Sequence, residues 1–151
     1  MDPRLGSDTQ PDALWLESLP VVLRPAREPD FRQDRARHET ISETIAILFD
    51  HVLSQPELTR SFREMSLRDP QVAEVSRAFE QVAVTRIATL IAALVSRDVV
   101  PDPDATAWVL HGAVVEAAYG LAGHRGPPPI SAERARRALT DFIERAVFPP
   151  A

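Results

Sequence analysis

From Phe31 onward, apolar residues recur at three- and four-residue steps, and nowhere do they alternate over a useful length. That period predicts helices. The first is expected over residues 32–53, where Ile41, Ile45, Leu48, Phe49 and Val52 share a side. A short second helix is expected over 56–66, with Pro56 in its first turn and Leu58, Phe62 and Met65 on one side. Asp69-Pro70 opens a third, expected to run to about 98. An aspartate before proline starts a helix well, because its side chain caps orphan amides and proline lacks one. Asp102-Pro103 repeats the device and opens a fourth helix, which GHRGPPP breaks. Ser131 caps a fifth, expected to end near 148 before Pro149-Pro150. Its stripe is Ala135, Ala138, Leu139, Phe142, Ile143 and Ala146, with arginines opposite. The fold class read from this pattern is all-α, a five-helix bundle.

Residues 1–30 read differently. They hold five of the chain's 14 prolines, which bars a long helix there. Within them DALWLESL makes two turns between Asp12 and Pro20, and Val21, Val22 and Leu23 follow. A segment this apolar is expected to pack against something. The division is therefore a proline-rich arm over 1–30 and a helical domain over 31–151.

The fourth helix carries the main question. DPDATAWVLHGAVVEAAYGLAGH is apolar on nearly every side, yet includes His111 and Glu116. A helix apolar all round is buried on more than one face. His111 and Glu116 stand five positions apart and point to different faces, so they do not form one two-residue site within a chain. For His111 the readings are a core histidine bonded to a carbonyl or a polar anchor in a cavity. For Glu116 the expectation is a salt bridge across a subunit interface, to an arginine of the fifth helix.

Bulk composition narrows the classes. A chain of 151 residues with 44% hydrophobic and 26% charged residues has the balance of an ordinary globular domain. The net charge of −5 argues against binding nucleic acid by phosphate neutralisation. Without cysteine there is no disulfide or thiol chemistry. MDPRLGSDTQ lacks the basic-then-apolar order of a signal peptide, and His111 and Glu116 interrupt the best candidate span. A cytoplasmic location without membrane contact is expected. All 17 basic residues are arginine, and asparagine is absent as well. That is the mark of a high-GC genome, so arginine abundance is not read as function.

SQPELTRSFREM, DPQVAEVSRAFEQV with IAALVSRDVV, PDPDATAWVLHGAVVEAAYGL and SAERARRALTDFIERAV together resemble the C-terminal domain of TetR-family transcriptional repressors. The likeness is one of helix order and covers about residues 31–147. It implies a ligand-binding and dimerising domain whose last two long helices pair with the same two of a second subunit. Such repressors also carry an N-terminal helix-turn-helix reader, which is missing here. LGSDTQPDALW resembles the family's segment just after that reader. Whether the reader was cut off or is naturally absent stays open, and either way no direct DNA binding by this chain is expected. The resemblance implies a homodimer through Ala113, Glu116, Ala117, Gly120, Ala138 and Phe142.

Candidate ligand contacts come from polar and aromatic residues on apolar faces. His38 shares a face with Ile41, Ile45 and Phe49; it is the polar end of a pocket or the exposed start of the stripe. Arg86 stands between Val82 and Leu90, where a guanidinium needs a carboxylate, carbonyls or an anionic ligand. Phe49, Phe62, Phe79, Trp108 and Tyr119 line a cavity or fill a core. With His111 they describe a largely apolar pocket with polar anchors, fit for a small hydrophobic ligand.

Catalytic and metal motifs are weak. No two of the four histidines (His38, His51, His111 and His124) sit at i,i+4 on one helix. There is no phosphate loop and no nucleophile elbow. No metal, cofactor or catalytic residue is assigned. The leading expectation is a small-molecule sensing domain of a TetR-like regulator. Its alternatives are a TetR-like scaffold recruited as an enzyme or carrier for a hydrophobic intermediate, and a dimerising interaction protein.

Overall fold

A computed structural model describes residues 34–150. What was expected of the arm over 1–30 lies outside the described residues. Those residues form five helices and no strand: α1 Asp34–Ser54, α2 Pro56–Arg68, α3 Pro70–Leu94, α4 Pro103–Leu121 and α5 Ala132–Val147. The all-α class expected from periodicity is the class observed.

Local chemistry sets most helix ends. Asp69 accepts from the amides of Gln71 (2.8 Å) and Val72 (3.4 Å), which starts α3. Its own N–H donates to the Met65 carbonyl and closes α2 (2.8 Å). Asp102 caps Ala105 N (3.0 Å) and Ser131 caps Arg134 N (3.3 Å), both as the sequence predicts. α4 ends in a full Schellman motif: His124 N–H donates to Tyr119 O (3.2 Å) and Gly123 N–H to Gly120 O (3.1 Å). Gly123 takes φ +79 there, a conformation that costs other residues dearly.

α3 is shorter than the sequence predicts, ending at Leu94 and not near 98. Val95 is extended, and the Ser96 carbonyl accepts from both Val99 and Val100 (3.0 Å each). This turn drives Val100 inward to 3% exposure.

The core has two parts that meet at α5. One gathers Ile41, Ile45, Phe49 and Val52 of α1 with Val114 and Ala118 of α4 and Ala135 of α5. The other gathers Val84, Ala88 and Ile91 of α3 with Val100, Ala107, Leu110 and Val147. Ile143 and Phe148 pack on both. α4 contributes to each, so it is the central helix. α2 buries no residue completely and packs mainly on α3.

Candidate functional site

The densest polar arrangement joins α2 to the C-terminal half of α4. Arg63 Nη2 donates to Glu116 Oε1 at 2.8 Å, and Arg125 pairs with the other oxygen of the same carboxylate. The Arg63 guanidinium also lies 4.7 Å over the Tyr119 ring. His124 stacks on Tyr119 with centroids 5.0 Å apart, and its Nε2 lies 3.3 Å from the Pro56 carbonyl. Arg60 donates to Gly123 O (3.1 Å). Burial pushes the Tyr119 hydroxyl above its ordinary range, and the nearby Arg63 charge pulls partly against it. The cluster ties the Schellman turn to α2. Sequence reasoning assigned no role to Arg60, Arg63, Arg125 or His124. Arg60 and Arg63, three apart on α2, were the available signal.

Glu116 is thus paired within the chain, with Arg63 and Arg125, and its side chain stays 44% exposed.

The eight expected ligand contacts do not surround one cavity. Phe49 is core, 2% exposed. Phe62, Phe79, His111 and Tyr119 are half-buried. Trp108 is 61% exposed and leaves the core to Ala107 and Leu110. Arg86 is exposed, since α3 buries the arc of Val84, Ala88 and Ile91 and turns Val82, Arg86 and Leu90 outward. It needs no buried partner there. His38 is bound at 2.8 Å to Glu144 of α5 and is half exposed, so it anchors no enclosed pocket.

His111 retains a buried Nδ1 without a partner. Desolvation lowers its pKa, only partly offset by the Glu80 carboxylate. With a folded pKa below the ordinary value of about 6.5, the unfolded chain binds more protons at mildly acid pH. Stability from this group is thus complete above that value and is lost as pH falls through the folded pKa. In urea titrations at pH 7.5 and pH 5.5, His111→Leu is expected to lose less stability between the two than the wild type. Equal losses would show that His111 is not charged at a cost.

Two open spaces lie elsewhere, and of the eight expected contacts only Arg86 borders one of them. A shallow one lies along α3 between Ala78 and Arg86. The larger, about 650 Å³, opens where the start of α1 meets the ends of α3 and α5. Leu94, Val95, Val99 and Phe148 supply its apolar wall, and Arg37 and Arg145 its positive charge. Arg37 is held by Asp34 (2.8 Å) and lies 4.5 Å over the Phe148 ring. No protein-family model, curated protein or solved structure matches the chain. Its chemistry is read from these residues alone.

The expected interface positions divide into two groups. Ala117 packs against the α1–α4–α5 core, and Glu116 is paired as above. Ala113 and Gly120 are half-buried, and Ala138 and Phe142 are exposed, Phe142 at 49%. A Cβ added at Gly112 or Gly120 meets nothing within 4 Å among the described residues, so those leave these flanks of α4 open. Val109, one turn before Ala113, is 53% exposed.

Proposed function

We propose that this chain is the ligand-binding and dimerising part of a TetR-like regulator, sensing a small apolar or aromatic compound. The observation that carries the reading is the uncovered apolar side of α4 and α5. Val109 and Trp108 of α4 are more than half exposed, on a helix whose Gly112 and Gly120 have open flanks, and Phe142 of α5 is 49% exposed. Large apolar side chains left exposed on two helices suit a surface for a partner. A second copy brings the same two helices, which fits a two-fold four-helix contact.

The ligand's place in this reading is the cleft at the ends of α1, α3 and α5. Its volume of about 650 Å³ falls in the range of roughly 300–1,000 Å³ usual for small-molecule sites. Its wall mixes aliphatic side chains with Arg37 and Arg145 and with Asp34 and Glu144, which suits an apolar compound with a polar end. With a net charge of −5, DNA contact is not part of the role assigned to this chain. No helix among the described residues is long and apolar enough to cross a membrane, and a cytoplasmic place goes with the proposal.

The ligand half is tested by a melting-temperature screen of flat apolar acids against the wild type and Val99→Glu. A true ligand at a hundredfold excess over Kd stabilises by about 2.7 kcal/mol. Its effect is expected to vanish in Val99→Glu, a change at a 43% exposed position that the fold tolerates. If no compound raises the melting temperature, the dimerising interaction protein takes the place of the sensor.

A further inference from the structure

We propose that His38, Asp141 and Glu144 hold a divalent cation of the zinc type where α1 crosses α5. The three side chains come from two helices and converge: one ligand atom of each lies within 4.8 Å of the other two. Asp141 and Glu144 are three apart on α5, neighbours on its surface. His38 of α1 faces them with Nδ1 2.8 Å from Glu144 Oε2.

The spacing suits shared coordination. With metal–ligand bonds of about 2.0–2.2 Å, adjacent ligands lie roughly 2.9–3.4 Å apart. The His38–Glu144 pair is already at that separation, and Asp141 is exposed and free to rotate inward.

Charge points the same way. Every cationic side chain other than histidine is arginine, and α5 carries Arg134, Arg136, Arg137 and Arg145. Yet among the described residues Glu144 is paired with His38 and not with an arginine, and Asp141 has no ion pair. Arg136 is spent on Glu133 and Ser42. Two carboxylates facing one imidazole make a donor set that a cation neutralises.

The donors select the ion. Calcium and magnesium take oxygen ligands, whereas imidazole with carboxylates suits zinc, cobalt or nickel. Three protein ligands leave a position for water or another donor. Glu144 also borders the cleft at the helix ends, though the cation site does not depend on that cleft being a ligand site. Sequence spacing hides this set, because 106 positions separate His38 from Glu144.

The test is titration of the full chain with zinc chloride in a non-coordinating buffer, followed by calorimetry, with cobalt substitution read by visible absorption. One ion per chain at micromolar affinity is expected. His38→Ala and Asp141→Asn should each weaken it by at least about tenfold, while His51→Ala and His124→Ala leave it unchanged. Both ligand positions are exposed, so the variants keep their helicity by circular dichroism. Binding weaker than millimolar in the wild type would overturn the proposal. So would an affinity that survives His38→Ala and Asp141→Asn but falls with His51→Ala or His124→Ala.

Discussion

Phe49→Ala is expected to lower the stability of the fold by about 3–5 kcal/mol, the usual cost of deleting a buried phenylalanine. For a chain of this size the midpoint falls by roughly 10–15 °C. Phe49 is 2% exposed and packed among α1, α4 and α5, so its loss leaves a void that rigid helices on both sides cannot close. The sequence also allows Phe49 as a cavity wall. A side chain lining an open pocket has fewer contacts to lose, and its truncation costs correspondingly less. Leu67→Ala on α2 is the comparison: at 83% exposure, and on neither helix of the proposed contact, it should change the melting temperature little. A loss at Phe49 no larger than that at Leu67 would mean that Phe49 is not core.

The second large effect is on assembly. Ala138→Arg combined with Phe142→Arg is expected to convert a dimer into monomers with no loss of helicity. Both positions are exposed within the chain, Phe142 at 49%, so neither change disturbs the monomer's own core. In an assembled four-helix contact they place unpaired charges against an apolar partner surface. A penalty of about 3 kcal/mol or more weakens association over a hundredfold. Light scattering at micromolar concentration reads the change. An unchanged mass in the double variant would place any interface elsewhere. Ala117 is a poor probe of the same question, because it packs on the core and its replacement unfolds before it dissociates.

The helix starts were legible because each is written locally. Asp69-Pro70, Asp102-Pro103 and Ser131 place a capping oxygen next to the first free amides, and each forms the expected bond. The third helix's end was not legible, because it depends on the Ser96 carbonyl accepting two amides in a turn that itself contains neither Gly nor Pro. The face of α5 was half legible. The stripe put Ala138, Phe142 and Ala146 on one side with Ala135, Leu139 and Ile143; the last three are wholly or partly buried, and the first three are exposed within the chain. Thr140 is buried instead, which its hydroxyl permits by donating to the Arg136 carbonyl (2.9 Å). A polar residue that satisfies itself on its own helix reads as surface in a hydrophobicity pattern.

The site was less legible still. That His111 and Glu116 face different ways followed from helical geometry, and their surroundings differ accordingly: Glu80 near one, Arg63 and Arg125 at the other. What they meet depends on how helices register across gaps of dozens of residues, which no local pattern encodes. Arg63 and Glu116 lie 53 positions apart. Trp108 shows the same limit from the other side, since a large aromatic on an apolar helix reads as core until its neighbours are known.

Sedimentation velocity of the unmodified chain at about 10 μM is the most direct measurement of the central claim, that the open apolar side of α4 and α5 meets a second copy. The account predicts a single species of twice the 16.7 kDa chain mass. A single species at 16.7 kDa under the same conditions would contradict it.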